Sequence, residues 1–208
     1  GAFGSWQGID NTVIMDYLSA AYSSRKLYDT PTYGIAFYHQ STFDDLLVDG
    51  LSATIGIRYD YERASTDYLS FKDTEEESKE LDAFYSKLKF SQVTPKFALQ
   101  YMFPSSGIIY ATVTKGYKTG GFNTSFEREE DRSFRPETSW NYEVGGKHPF
   151  LDNRLRAEIA FFWINWKNQQ ISQSLTVGSM LNNAGRSESK GVEVSLQGNP
   201  VNGLMVQL

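Results

Sequence analysis

The stretch Leu51-Ser52-Ala53-Thr54-Ile55-Gly56-Ile57-Arg58-Tyr59-Asp60-Tyr61-Glu62 alternates with period two from end to end. Leu51, Ala53, Ile55, Ile57, Tyr59 and Tyr61 fall on one side, and Ser52, Thr54, Gly56, Arg58, Asp60 and Glu62 on the other. Successive residues of a strand point to opposite faces, so this is a strand with one apolar and one polar face. A helix would scatter the same apolar residues around its circumference. The length suffices for a strand that crosses hydrocarbon at a tilt, which takes about 9–11 residues.

Working outward, similar segments are predicted at about 1–8, 32–42, 92–103, 108–118, 138–150, 154–167 and 187–198, with another starting at 204. Two kinds of connection join them. Phe103-Pro104-Ser105-Ser106-Gly107, Leu151-Asp152-Asn153-Arg154 and Asn199-Pro200-Val201-Asn202-Gly203 are tight, and 43–50 is a somewhat longer turn. Roughly 67–91, 119–137 and 168–188 are long and polar. If the strands run up and down, every tight turn lies at one end and every long loop at the other. That asymmetry marks an all-β, antiparallel up-and-down transmembrane β-barrel. Within 67–91, Leu81, Phe84, Tyr85 and Leu88 have helical spacing, and a short amphipathic helix is expected there.

The segments around Asp152-Asn153 permit a register test. A two-residue turn there sets Phe150 opposite Leu155, His148 opposite Ala157, Gly146 opposite Ile159, Val144 opposite Phe161 and Tyr142 opposite Trp163. That face is almost wholly apolar. The other face sets Lys147 opposite Glu158, an opposite-charge pair. A slip of one residue would move apolar groups onto the charged side. The register of the 92–118 hairpin stays open, because Ile108, Ile109, Tyr110, Ala111 and Val113 suit either face.

Alternation does not say which face meets water. A small soluble barrel puts its apolar residues inside, and a membrane barrel puts them outside. Tyr59, Tyr61, Tyr101, Phe103, Phe150 and Trp163 lie near strand ends, as interfacial girdles do. The opposite face carries Arg58, Asp60, Lys96, Gln100, Glu143, Lys147, Arg156, Glu158, Glu193 and Gln197, which suits a wet, charged lumen. A soluble two-sided β-sheet binding protein is the competing reading, and a passive pore or structural barrel is another.

Composition agrees with a folded β protein: 40% of the 208 residues are hydrophobic and 15% aromatic. No run reaches the ~20 apolar residues of a membrane helix. The absence of cysteine rules out a disulfide framework and thiolate metal sites. The net charge of −5 argues against nucleic acid as a partner. No signal peptide is evident and Gly1–Trp6 already reads as strand, so a fragment or matured piece is expected.

Thr94-Pro95-Lys96-Phe97-Ala98-Leu99-Gln100-Tyr101 leads into Ile109–Asn123, which ends Gly116-Tyr117-Lys118-Thr119-Gly120-Gly121-Phe122-Asn123. Phe134-Arg135-Pro136-Glu137-Thr138-Ser139-Trp140-Asn141-Tyr142-Glu143, Phe150–Leu155, Asn183-Ala184-Gly185 and Lys190-Gly191-Val192-Glu193-Val194 follow. In order and spacing these resemble the C-terminal half of the barrel of TonB-dependent outer-membrane receptors, in the siderophore-receptor-like branch. The resemblance implies a segment of a barrel of about 22 strands with a plugged lumen. It implies the Gram-negative outer membrane, outer-membrane lipid as surroundings, and energised uptake of a small nutrient such as a ferric siderophore. A TonB-type energy-transducing complex would act through a plug. Residues 1–208 are expected to be barrel alone, without plug or terminal aromatic strand.

At the loop-side rim of such a barrel stand Tyr117, Lys118 and Asn123, the candidate ligand contacts, with rim packing as their competing role. Gly116, Gly120 and Gly121 lack the spacing of a phosphate loop and read as strand-exit glycines. His39 and His148 lie toward the tight turns, away from the long loops, so neither metal nor haem ligation is expected. Glu75-Glu76-Glu77 and Glu127–Asp131, with Arg128 and Arg132 interleaved in or beside the second run, read as solvated loop faces. His39 and Ser41 share a strand face without an acidic third member, so no catalytic residue, enzyme activity or cofactor is expected.

Overall fold

The computed structural model describes residues 1–17, 21–126, 128–175, 178–201 and 203–208. In chain order the strands are β1 (Ala2–Gln7), β2 (Asp10–Tyr17), β3 (Tyr22–Asp29), β4 (Thr32–Phe43), β5 (Leu51–Asp73), β6 (Ser78–Met102), β7 (Ile108–Lys118) and β8 (Gly121–Phe122). After a 3-10 turn at Glu129–Arg132 come β9 (Ser133–Phe134), β10 (Glu137–Phe150), β11 (Leu155–Lys167), β12 (Gln170–Ser174), β13 (Ser179–Asn183), β14 (Arg186–Val201) and β15 (Leu204–Gln207). Among the described residues one antiparallel wall runs β1-β4-β5-β6-β7-β10-β11-β14-β15, with β3 added beside β5 and β2 beside β3. The wall is open in this segment. The short hairpins β8-β9 and β12-β13 lie within long connections.

The β10-β11 register is the one its turn chemistry predicts. Phe150 pairs with Leu155, Val144 with Phe161 and Lys147 with Glu158. Asp152 and Asn153 have φ of 52° and 65°, and the Arg154 amide donates to the Leu151 carbonyl at 3.1 Å. Leu151 shares the positive φ, at 52°, so three successive residues reverse the chain between the Phe150–Leu155 pair. The open 92–118 register is settled as Met102 opposite Ile108 and Phe97 opposite Val113. The Asn199–Gly203 turn is described only in part, since Asn202 lies outside the described residues.

One face of the wall is apolar and bare. Ile55, Ile57, Phe161, Val192 and Val194 are each about half exposed or more. Leaving such a sheet face in water is unfavourable, and hydrocarbon removes that cost. Aromatics bound the band at both ends. Trp140, Tyr142 and Trp163 stack or tilt together near the long loops, while Tyr101 meets Phe103 and His148 meets Phe150 edge-on near the tight turns. Trp140 to Phe150 is ten residues, ~33 Å of strand, which a tilt of ~40° reduces to ~25 Å, the height of a barrel's apolar band.

The segment 67–91 is not a loop and contains no helix. β5 and β6 continue past the apolar band as one long hairpin. Leu81, Phe84, Tyr85 and Leu88 lie on strand, with Phe84 and Leu88 half-buried and Leu81 and Tyr85 exposed. Between Ser70-Asp82 and Phe71-Glu80 the register shifts, leaving Leu81 as the extra residue of a bulge. The strands β2 and β3 have no counterpart in the predicted segments. β4 pairs with β5 as far as Ala64, and β3 takes over from Asp67 to Asp73. Together they form a platform beyond the membrane band. Much of the deep burial lies there: Tyr28, Ala64, Thr66, Tyr68 and Ser70 are all nearly inaccessible. The platform has water on both sides, so its strands must cover a face with protein.

Candidate functional site

The inward face of the wall is a ladder of paired polar groups. Arg58 grips Asp60 through Nε and Nη2 at 2.6–2.9 Å. The Lys147 ammonium lies 2.6 Å from Glu158, as the register requires. The Tyr110 hydroxyl donates to Glu143 at 2.8 Å. To reach it, the Tyr110 ring lies across Gly145, where an added Cβ would come within 2.6 Å of the ring and 2.8 Å of the Ile159 carbonyl. Gly191 sits beneath Phe162 in the same way. These glycines let aromatic rings lie flat along the inner wall. The face can therefore offer hydroxyls, carboxylates and cations to a polar solute moving past it.

At the loop end, side-chain amides join the connections to one another. Asn123 is buried: its Nδ2 donates to the Asp131 and Leu181 carbonyls, and its Oδ1 accepts from the Leu181 amide, all at 2.8–2.9 Å. This ties the β7-β10 connection to the β12-β13 hairpin. Asn183 does the same from the other side, accepting from the Arg135 amide at 2.7 Å and donating to the Arg135 and Asn168 carbonyls at 2.9 Å. Gln170 donates through Nε2 to the Thr119 carbonyl at 2.7 Å, and its amide donates to Glu137 at 2.7 Å. Arg132 then fastens the connection to the platform. It pairs with Asp82 at 2.6 Å and Glu129 at 2.5 Å, and its guanidinium lies 4.1 Å from the Phe84 ring centroid.

The three candidate ligand residues are thus placed differently. Tyr117 closes β7 with its hydroxyl donating to Glu62 of the inner face at 3.0 Å. Lys118, the last residue of β7, is exposed opposite Glu137. Asn123 is occupied by loop closure. Arg132, Gln170 and Asn183 are bridging residues whose roles sequence reasoning missed: Gln170 and Asn183 bond backbone groups of other connections, and Arg132 meets the Asp82 carboxylate and the Phe84 ring about 50 residues away in sequence.

The His39 ring accepts or donates one bond, to Ser41 at 2.8 Å, on the bare apolar face. Among the described residues no group of three or more His, Cys, Asp or Glu could hold a metal ion. In the acidic run Arg128 pairs with Glu130 at 2.5 Å and Asp131 at 2.8 Å; Glu129 and Glu130 are solvated as expected, whereas Asp131 and the neighbouring Arg132 are largely buried, and Glu127 lies outside the described residues.

Lipid outside, paired charges inside and bridged loops at one end define an outer-membrane barrel wall around a polar lumen. The family model for the β-barrel of TonB dependent receptor-like proteins matches residues 2–207, and the chain belongs to that family. The family consists of receptors and transporters rather than enzymes, and it places this wall in the outer membrane of a Gram-negative cell. The chain is 28% identical over 152 residues to the pesticin receptor of Yersinia pestis, covering 71% of this chain and 21% of that protein. It therefore spans about a fifth of the relatives it matches. The fold is also that of the ferric yersiniabactin uptake receptor FyuA from Yersinia pestis, with TM-score 0.76, 22% identity, and coverage of 97% of this chain and 29% of that one. The ferric citrate transporter FecA shares it at TM-score 0.51 and 12% identity, over 95% of this chain and 36% of that one.

Proposed function

We propose that this wall belongs to a receptor for energised uptake of a scarce nutrient, with a ferric siderophore as the substrate class. The inner wall and the bridged loops would hold the ligand together. The observation that carries this reading is the inward ladder of Arg58-Asp60, Tyr117-Glu62, Tyr110-Glu143 and Lys147-Glu158 lying beneath loops that three amides tie into one cap. A capped polar vestibule suits capture of a small hydrophilic complex better than free diffusion. The ferric yersiniabactin uptake receptor and the ferric citrate transporter among the structural neighbours support the substrate class. Residues 1–208 would supply barrel only, and the pull of a TonB-type complex would reach the ligand through a plug. Tyr117 and Lys118 are the side chains proposed to meet the ligand at the rim, whereas Asn123 would hold the cap that presents them.

Uptake of radiolabelled ferric siderophore by iron-starved cells tests this directly. Uptake should vanish when the gene is deleted, and also when the proton-motive force is collapsed. Transport that continues in de-energised cells would instead make the protein a passive pore.

A further inference from the structure

The tight turns of such a barrel face the periplasm, and here they differ in chemistry. Phe103–Gly107 carries Pro104, Ser105 and Ser106, as a turn in water should. The 43–50 turn instead carries Leu46-Leu47-Val48 among Asp44, Asp45 and Asp49. Leu51 pairs with Tyr101 of the aromatic girdle, so this turn lies beyond the apolar band. Leu47 is 92% exposed, with Leu46 and Val48 exposed beside it. The turn is held in one shape. The Leu46 amide donates to the Leu51 carbonyl, the Met102 amide to the Gly50 carbonyl and the Gly50 amide to Asp45 Oδ1, each at 2.8 Å.

Leu47 has φ of 70°, in the left-handed region where leucine is strained and Asn or Gly is at ease. Leu151, in the turn between β10 and β11, repeats the pattern with φ of 52° and 72% exposure. Each leucine strains its own turn and gains no burial there, which points to a contact outside the wall. The strands β5, β6, β7 and β10 lie between the two turns. The leucines therefore stand about 20–25 Å apart along the rim, within the ~30 Å width of a small domain. The charge at the 43–50 turn narrows the partner. Asp44 accepts from the Ser52 hydroxyl at 2.8 Å, and among the described residues no cation lies within ion-pair distance of Asp44, Asp45 or Asp49. Turning the tip into the bilayer would drag these carboxylates out of water at a cost. A protein surface with an apolar pocket rimmed by Lys or Arg accommodates both features.

We infer that the 43–50 turn is a docking point on the barrel rim for a basic periplasmic domain of the energy-transducing partner, separate from the pull exerted through the plug. Leu47 and Val48 enter an apolar pocket of that domain, Asp44 and Asp49 meet cations at its margin, and Leu151 makes a lesser contact. A second contact on the rim holds the partner at the barrel mouth and raises its effective concentration at the plug. The inference rests on the energised uptake proposed above.

The test titrates the whole receptor that carries this wall, in lipid nanodiscs, with the purified periplasmic domain of the partner. Leu47→Asn suits a positive φ, so the turn should hold as well as before while binding weakens about tenfold. Asp44→Asn with Asp49→Asn should weaken binding and flatten its dependence on salt. Leu151→Asn should give a smaller loss, and Ser105→Ala in the neighbouring polar turn none. Heat-modifiable gel migration checks folding, and if the aspartate pair does not fold, Leu47→Asn is read alone. Unchanged affinity in Leu47→Asn overturns the inference. So does a photo-reactive p-benzoylphenylalanine at position 47 that cross-links to lipid or to the receptor's own plug instead of the partner domain. A receptor that binds no partner domain and transports in de-energised cells would overturn the uptake reading as well. Energised uptake with undiminished affinity in Leu47→Asn would overturn the rim contact alone.

Discussion

From Leu51 to Glu62, β5 turns Ile55, Ile57, Tyr59 and Tyr61 outward and Arg58, Asp60 and Glu62 inward. From Ala64 to Ser70 the same strand buries its inward residues, Ala64, Thr66, Tyr68 and Ser70, and turns Asp67 out to water. The backbone alternation is continuous, but the side that must be hidden has changed. In the lower half hydrocarbon takes the apolar face and the polar face lines the lumen. In the upper half there is no hydrocarbon, so the inward face is covered by the chain itself. Phe126 of the β7-β10 connection lies 5.9 Å from Tyr68 and 6.4 Å from Phe84, and Tyr28 of β3 lies 5.1 Å from Tyr68. Burial raises the Tyr28 and Tyr68 hydroxyls above the ordinary phenol range. One strand thus obeys two solvents, and the platform depends on packing in a way the membrane half does not.

The most severe way to break this contrast is to empty the platform core. Tyr68→Ala should cost about 3–5 kcal/mol locally, the range for loss of a buried aromatic. Hydrogen exchange should rise in β3 and the upper halves of β5 and β6, while heat-modifiable migration reports an intact membrane wall. Loss of both together would mean that the halves are one cooperative unit. On the lower half the informative change is a charge. Ile57→Arg, near the middle of the band, should cost about 2–4 kcal/mol by urea titration in lipid vesicles. If it is neutral, that face does not meet hydrocarbon.

The membrane half was readable in the sequence because lipid and lumen enforce strict alternation on every strand at once. The β10-β11 pairing could be assigned from Asp152-Asn153 and the apolar face alone, since a one-residue slip would bury Lys147 in lipid. The platform followed no such rule. Leu81, Phe84, Tyr85 and Leu88 have helical spacing, whereas as strand residues they divide, Phe84 and Leu88 inward opposite Tyr68 and Ala64, Tyr85 outward opposite Asp67, and Leu81 in a bulge. The strand β3, Tyr22-Ser23-Ser24-Arg25-Lys26-Leu27-Tyr28-Asp29, has too few apolar residues to stand out, because only Tyr28 reaches the dry core. Of the candidate site, Tyr117 and Lys118 were legible as rim residues from strand length. The roles of Asn123, Gln170 and Asn183 were not, since they depend on connections far apart in sequence meeting in space.

A smaller effect sharpens the lower half. Lys147 and Glu158 face each other across β10 and β11 with side chains about 46% and 35% exposed, so solvent screens much of their attraction. Lys147→Glu should cost roughly 1 kcal/mol by placing like charges opposite one another. Adding Glu158→Lys should restore part of that loss in the same urea titration. A double variant no better than the single one would place the two groups out of contact in the folded barrel.

The smallest expected effect lies at the platform's tip and tests whether the upper half behaves as a water-exposed protein. Arg25 of β3 donates to Asp73 at the end of β5, at 2.7 Å, and Ser78 donates to the same carboxylate. These bonds hold the Asp73 carboxyl below the ordinary carboxylate range, and Arg25 is correspondingly harder to deprotonate. A depressed folded-state pKa contributes stability that is complete above the unfolded value of about 3.9. It is lost as pH falls through the lower, folded value. Hydrogen exchange at the tip, corrected for the intrinsic pH dependence of amide exchange, should therefore be flat at neutral pH. Protection should fall only as pH drops below about 4. Asp73→Asn should remove that acid step while leaving exchange in β10 and β11 unchanged. Both side chains keep about a quarter to a third of their surface in water (31% and 25%), so the step should be small and should shrink further in high salt. An acid step that persists in Asp73→Asn would mean that another carboxylate governs the tip, and that β3 is held to β5 by ladder bonds and packing alone.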